Sequence, residues 1–196
     1  MTKKISIILP VRNVEKKLVR LIGDCFEAST DTGLECEIVI INDHSTDATE
    51  DVANALALKY PQVQAISFWR QCGLQKSILN GIQYSTGNFL YIFYSLLHYS
   101  FPQISLFYNG MMFCDAILGR IVTKNDNYVE IAMFKKYLLN AIGEKISEPS
   151  KCIDFMQERS IRFLELRYEH EINSEQQPFH FSNPVRKKYS KTLSTV

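Results

Sequence analysis

Apolar segments of strand length alternate with amphipathic segments along the first half of the chain. The apolar segments are bounded by turn-forming residues, as buried strands are, and lie at residues 5–9, 38–41, 63–68 and 88–93. The segments between them place apolar residues at helical spacing, as Leu18, Leu21 and Ile22 illustrate. The resulting order β-α-β-α-β-α-β predicts an α/β fold, with a mainly parallel sheet and helices on both faces.

The second half of the chain has a looser pattern. A helix is expected at residues 102–112 and a strand at residues 115–122. A further helix is expected at residues 128–142, where Ile131 and Phe134 fall at helical spacing. The length of 196 residues is sufficient for one domain with its own core.

Charge and cysteine content narrow the function classes. The 22 basic residues nearly balance the 21 acidic ones, so the net charge of +1 gives no support to nucleic-acid binding. The 5 cysteines are widely spaced and form no C-x-x-C pair, which favours reduced thiols. No segment reaches the roughly 18 to 20 apolar residues of a membrane span, and the first apolar run is too short for a signal peptide. These features predict a cytoplasmic protein.

Four polar loops are the candidate site. In open α/β sheets, ligands bind beyond the carboxyl ends of the strands. The loops in those positions are residues 10–13, 42–46, 68–73 and 94–98. We therefore expect these four loops to converge on one site.

Three strings in these segments carry a family resemblance. They are ISIILPVRN, EIVIINDHSTDAT and FWRQCGLQKSILNGIQYSTGNFLYIF, with fainter continuations in CDAILGR and NPVRKKYSK. In order and spacing they resemble the nucleotide-sugar half of family 2 glycosyltransferases, above all the branch that transfers sugars onto polyprenyl phosphates. The resemblance implies a GT-A-like nucleotide-diphospho-sugar transferase fold. It also implies sugar transfer to a lipid-phosphate or glycan acceptor, as in polysaccharide or cell-envelope biosynthesis.

The resemblance also suggests a domain organisation. We expect a single glycosyltransferase-like domain at residues 1–182, with a nucleotide-binding half at 1–98 and a shortened acceptor half at 99–182. A basic tail would follow at residues 183–196.

The first loop matches a family segment that contacts the nucleotide base. Pro10, Arg12 and Asn13 occupy the matching positions, and Arg12 stands where the family has an aromatic residue. A guanidinium group can stack on a base as a ring does, which keeps the nucleotide-binding assignment open. The alternative is a strand that ends at Pro10, followed by a solvated arginine.

The second and third loops supply three more nucleotide-binding candidates. Asp43 matches a family aspartate and would accept the ring N–H of uracil or guanine, because an ionised acceptor suits that donor. Arg70 would lie beside the diphosphate, and Gly73 would allow close approach of the backbone. For Arg70 and Gly73 a plain turn is the alternative. Ser45, Thr46 and Asp47 match a helix start and are interpreted as simple capping residues.

The fourth loop lacks the metal motif of the family. Family members place Asp-x-Asp there to hold Mg²⁺ or Mn²⁺, whereas this chain has Tyr94, Ser95 and Leu96. None of the three is a carboxylate, so we predict no metal site, and the catalytic residues stay unassigned. His98 alone would make a poor ligand set.

A late basic segment offers positive charge instead. Arg186 and Lys188 match a family segment that closes near the diphosphate, where cationic side chains would replace the charge of the metal. The alternative is a solvated basic tail. The same tail would suit peripheral contact with the anionic inner face of a membrane.

Two hypotheses of different class remain. One is a sugar transferase, with activity reduced or lost together with the carboxylates. The other is a catalytically silent nucleotide-binding or scaffold protein that partners an active transferase. A dinucleotide-dependent oxidoreductase is set aside because no G-x-G-x-x-G follows the first strand.

Overall fold

The computed structural model describes residues 3–96, 104–122, 127–169 and 188–189. The strands are β1 (Lys4–Val11), β2 (Glu35–Asn42), β3 (Val63–Ser67), β4 (Phe89–Phe93), β5 (Ala116–Val122), β6 (Asn127–Lys135), β7 (Phe163–Glu169) and β8 (Lys188–Tyr189). The α-helices are α1 (Glu15–Thr30), α2 (Thr49–Lys59), α3 (Leu74–Tyr84), α4 (Ile104–Gly110), α5 (Leu139–Ile142) and α6 (Pro149–Glu158). Short 3₁₀ turns, Lys136–Leu138 and Gly143–Ser147, flank α5.

The strands form one eight-stranded sheet in the order β3-β2-β1-β4-β6-β5-β7-β8. β1 pairs in parallel with β2 and β4, β2 pairs in parallel with β3, and β5 pairs in parallel with β7. β6 runs antiparallel between β4 and β5. The predicted α/β fold with a mainly parallel sheet is therefore confirmed.

The two faces of the sheet pack into separate apolar cores because side chains alternate along each strand. Ile7 of β1 lies in one core with Leu18 and Ile22 of α1. Its neighbour Ile8 lies in the other core with Ile78 of α3. Helices therefore cover both faces of the sheet, as the apolar strands required.

The helix predicted at residues 128–142 is wrong over most of its length. β6 occupies this segment up to Lys135, and helical structure is confined to the 3₁₀ turn and α5 that follow. Met133 packs in one core and its neighbours Ala132 and Phe134 pack in the other, so β6 is a central strand with both faces buried. A strand buried on both faces is apolar at successive positions, so some of its apolar residues also fall at helical spacing. Pairing with β4 and β5 makes this segment a strand.

At the amino ends of β1, β2 and β4, a buried carboxylate joins the strands. Glu37 is 3% exposed and pairs with the Lys4 ammonium group. Its oxygens also accept hydrogen bonds from the Ser6 hydroxyl at 2.5 Å and from the backbone N–H groups of Thr86 and Gly87. Burial alone would raise the pKa of Glu37, but the bonds from Lys4, Ser6 and Thr86 outweigh it and bring the pKa to about 2.

Glu37→Gln is expected to lower the free energy of unfolding by about 3 kcal/mol at pH 7, because an amide nitrogen cannot accept these bonds. The pKa of Glu37 is lower in the folded chain than its ordinary value of 4.5. Its stabilisation is therefore present above that value and is lost as the pH falls towards about 2. Urea denaturation at pH 7 and at a pH of about 3 measures both effects.

The matched control is Glu27→Gln, since Glu27 is an exposed carboxylate on α1. Equal stability losses in the two variants, or an acid dependence as large in Glu37→Gln as in the wild-type chain, would contradict the role assigned to Glu37.

Candidate functional site

Three of the four predicted loops meet at the carboxyl edge of β1, β2 and β3. The Asp43 N–H donates to the Val11 carbonyl at 2.9 Å, which joins the second loop to the first. The Phe68 N–H donates to the Asn42 carbonyl at 2.9 Å, which joins the third loop to the second. The predicted convergence of these loops is confirmed.

Asn13 shapes the first loop. It adopts a left-handed backbone conformation with φ of 52°, which asparagine tolerates better than most residues. Its side-chain oxygen accepts the Thr46 N–H at 2.8 Å, and its own N–H donates to the Ser45 hydroxyl at 2.9 Å. The neighbouring Arg12 is exposed and Pro10 is half-buried. Asn13 thus fixes the loop that presents Arg12 to solvent.

The starts of α1 and α2 are joined by reciprocal hydrogen bonds. The Glu15 N–H donates to the Asp47 carboxylate at 3.2 Å, and the Ala48 N–H donates to the Glu15 carboxylate at 2.8 Å. The Val14 N–H donates to the Thr49 hydroxyl at 2.8 Å. These bonds satisfy helix-start donors across elements rather than within one helix. The capping interpretation therefore missed that these residues, with Ser45 and Thr46, hold the first two loops together.

Asp43 links the second loop to the third. It is 7% exposed, and its two carboxylate oxygens accept the N–H groups of Cys72 at 2.6 Å and of Gly73 at 2.9 Å. Charge-assisted bonds to two successive backbone amides fix both the aspartate and the start of α3. Each carboxylate oxygen has two acceptor positions, so Asp43 retains capacity for a further donor.

The third loop carries an exposed aromatic–cation pair. The Arg70 guanidinium lies 4.7 Å from the centroid of the Trp69 ring. Trp69 was missed by sequence reasoning, although a large aromatic residue beside a loop arginine is a visible signal. Gly73 has φ of 87°, and an added Cβ would meet nothing within 4 Å. The backbone conformation, and not lack of space, therefore requires glycine here.

Tyr94 follows β4 but turns away from the loop surface. It is 6% exposed and lies in the core that contains α3 and α6. Its hydroxyl donates to the Ile146 carbonyl at 2.5 Å, and burial, with Cys152 nearby, raises its pKa well above the usual value. Tyr94 is a core residue that connects β4 to the second half of the chain.

The residues present do not fit a divalent cation. The Tyr94 hydroxyl is committed to Ile146, and Leu96 has no donor atom. Across the described residues, no group of three or more His, Cys, Asp or Glu side chains is arranged to hold a metal ion. Magnesium and manganese prefer oxygen-rich ligand sets, which the described residues 94–96 do not supply.

Of three other residues discussed from the sequence, the structure describes only the backbone of one. His98 and Arg186 lie outside the described residues. The backbone of Lys188 lies in β8, where it pairs with Glu165 of β7.

Two clefts border the described parts of the sheet. One, of about 510 Å³, lies beside the Asp43 bonds and is lined by residues 72–75 and 147–150. The other, of about 450 Å³, lies near Glu37 at the amino ends of the strands and contains none of the predicted site residues. Ligands in parallel α/β sheets bind at the carboxyl edge, so the first cleft belongs to the candidate site.

The helices in the described ranges include none that is long and apolar enough to cross a bilayer.

Comparison with known proteins finds similarity to one family within the first half of the chain. Residues 6–95 match the family model described as Glycosyl transferase family 2. A prophage bactoprenol glucosyl transferase homolog from Escherichia coli K12 is 39% identical over 85 residues, or 43% of this chain and 28% of that protein. A dolichol-phosphate mannosyltransferase from Pyrococcus furiosus is 33% identical over 85 residues, or 43% of this chain and 23% of that protein. The match to this chain spans less than a third of each relative.

A solved structure shares the fold. A mannosyltransferase from Pyrobaculum calidifontis, in complex with GDP-Man and Mn²⁺, has a TM-score of 0.65 at 14% identity. The match covers 89% of this chain and 58% of that one. The predicted GT-A-like fold and the resemblance to family 2 glycosyltransferases of the polyprenyl-phosphate branch are confirmed.

Asp43→Asn is expected to loosen the third loop, because the amide group that replaces one oxygen faces an N–H donor. Hydrogen exchange at Cys72 and Gly73 should become about 10 to 100 times faster, as expected for losing a bond worth about 1–3 kcal/mol. Asp51→Asn, which changes an exposed aspartate in the first turn of α2, is the control. Unchanged protection of both amides in Asp43→Asn would contradict the proposed link.

Tyr94→Phe is expected to lower the free energy of unfolding by about 1–3 kcal/mol, because it leaves the buried Ile146 carbonyl without this donor. Tyr84→Phe is the control, since Tyr84 is 47% exposed. Chemical denaturation of both variants measures the difference. Equal stability of the two variants would show that the Tyr94 hydroxyl contributes nothing.

Proposed function

We propose that the chain binds a nucleotide-diphosphate sugar and serves the transfer of its sugar to a lipid-phosphate or glycan acceptor, with the match of residues 6–95 to the family 2 glycosyltransferase model as the premise. The observation that carries the proposal is the joining of three loops around Asp43 at the carboxyl edge of the sheet. The names of the two relatives described above pair a sugar transferase with bactoprenol or with dolichol phosphate, which are polyprenyl carriers. These names support a lipid-phosphate acceptor.

The base of the nucleotide would bind at the first and second loops. Asp43 retains acceptor positions beyond the two backbone bonds it makes, and a uracil or guanine ring N–H is a suitable donor for them. Pro10 and Arg12 would lie against the base, and Asn13 would keep their loop in place through its bond to Thr46. These two loops, at the carboxyl edge of the sheet, would thereby hold the base in position before sugar transfer.

The diphosphate would bind at the third loop and the start of α3. Asp43 already accepts the N–H groups of Cys72 and Gly73, but no side chain among the described residues accepts the N–H groups of Leu74 and Gln75 in the first turn of α3. These N–H groups are available to an anion, and the helix dipole favours negative charge there. Gly73 lets the backbone approach the phosphates closely. Arg70, three residues before Gly73, supplies a cation. The adjoining cleft of about 510 Å³ would then receive the sugar.

A positively charged side chain would balance negative charge of the departing nucleoside diphosphate. Residues 94–96, directly after β4, do not fit a divalent cation, so no step is assigned to a metal. Arg70 would stabilise the charge that develops on the leaving phosphate, because cationic donors act strongly in a site shielded from water. β8, which contains Lys188, lies at the opposite edge of the sheet from β3, so Lys188 is not assigned to this phosphate. The single-domain organisation at residues 1–182 and the basic tail belong to this proposal.

The cellular setting follows from the acceptor. A polyprenyl phosphate lies in the membrane, so a protein that uses it from the cytoplasm must work at the inner face. The proposed location is therefore cytoplasmic with peripheral membrane contact, to which the basic tail would contribute.

Titration calorimetry with UDP and GDP tests the binding step. We expect one of them to bind with similar affinity with and without Mn²⁺, and Asp43→Ala to weaken binding at least tenfold. Asp51→Ala, which removes an exposed aspartate in the first turn of α2, is the control for loss of one negative charge. Failure of the wild-type chain to bind either nucleotide would overturn the proposed function.

A transfer assay with UDP-glucose or GDP-mannose and a polyprenyl phosphate then separates the two hypotheses. Sugar transfer would establish the enzyme. Nucleotide binding without transfer would favour the silent nucleotide-binding protein that partners an active transferase.

A further inference from the structure

The third loop exposes the single tryptophan of the chain. Trp69 is 80% exposed, although an indole ring is among the most favourable side chains to bury. Large exposed aromatic residues in soluble proteins commonly mark a binding surface. Trp69 plays no part in either apolar core of the described residues.

The position of Trp69 is fixed by bonds on both sides of it. One residue before it, the Phe68 N–H donates to the Asn42 carbonyl at 2.9 Å. Three residues after it, the Cys72 N–H donates to the Asp43 carboxylate at 2.6 Å. The three intervening residues form a short span whose two ends are attached to adjacent residues of the second loop. Trp69 is therefore held at the rim of the Asp43 site.

The neighbouring arginine restrains the ring further. The Arg70 guanidinium stacks on Trp69 at 4.7 Å from the ring centroid. Such stacking orders a ring at little entropic cost, since tryptophan has only two side-chain torsions. The exposed fraction of 80% shows that a large part of the ring surface is still open to a ligand.

A nucleobase bound at Asp43 needs an apolar partner for its face. Hydrogen bonds to Asp43 satisfy the edge of the base, and Pro10 and Arg12 would cover one face, which leaves the other face in water. The first loop offers Pro10, Val11, Arg12 and Asn13, none of which is aromatic. At the other end of this edge, Tyr94 is buried in the core. Within the described loops, Trp69 is the exposed aromatic residue near Asp43.

We propose that Trp69 stacks on the base of the bound nucleoside diphosphate and, with the hydrogen bond to Asp43, sets base affinity at this site. The proposal rests on the proposed function, since it names a further residue of the same nucleotide site. The first loop then needs no aromatic residue, because the stacking surface is supplied from the third loop.

Fluorescence gives a direct test, because the chain has a single tryptophan and its emission reports on Trp69 alone. UDP or GDP should quench this emission with the same Kd that calorimetry gives. Inorganic pyrophosphate, which carries the phosphates without a base, should quench this emission much less at concentrations that saturate its binding, because it reaches Trp69 only through the stacked Arg70.

Calorimetry on variants provides the second readout. Trp69→Ala should weaken nucleotide binding about tenfold, as the loss of one base–aromatic stack does, and Trp69→Phe should restore most of that loss. Leu58→Ala is the matched control, since Leu58 is 89% exposed on α2 and lies away from these loops. Both Trp69 variants replace an exposed side chain, so folding is not at risk.

The outcomes separate the two proposals. Wild-type binding by calorimetry with unchanged emission, and with full affinity in Trp69→Ala, would overturn the role of Trp69 while leaving the nucleotide site intact. Equal quenching by pyrophosphate would also overturn it, since the base would not be the cause. No binding to the wild-type chain at all would overturn the proposed function and the Trp69 inference together.

Discussion

The bonds from the Asp43 carboxylate to the amides of Cys72 and Gly73 organise the candidate site. A carboxylate that is nearly buried must be paired, and here its partners are two backbone N–H groups at the start of α3. The same bonds place the third loop, and with it Trp69 and Arg70, beside the first two loops. The proposed recognition of the base and the placement of the third loop thus depend on the same side chain.

The first half of the fold could be predicted closely from the sequence. Strands such as β1 and β2 are short, continuous and bounded by turn residues, and helices such as α1 carry a clear apolar face. In each case local preference and tertiary packing agree. The second half was harder because β6 is buried on both faces, so its apolar positions follow no period of two, and its identity depends on β4 and β5.

The candidate site was predictable in its parts and less so in its connections. Asp43, Asn13 and Gly73 could be recognised because they match loop positions of the family that the sequence resembles. The cross-links from Asn13 to Thr46 and from Glu15 to Ala48 span about thirty residues of sequence, and no local pattern reveals such contacts. The exposure of Trp69 was likewise invisible, because the sequence alone does not show whether an aromatic residue in a loop packs inward.

The burial of Tyr94 couples the loop after β4 to the second half of the chain. Tyr94 is part of the packing between β4 and the 3₁₀ turn at Gly143–Ser147. Replacement by an acidic residue would place a carboxylate in an apolar core and remove the partner of Ile146. A metal ligand could therefore be engineered at this position only together with compensating changes in the surrounding core, so the chemistry of this loop and the packing beneath it cannot be redesigned independently.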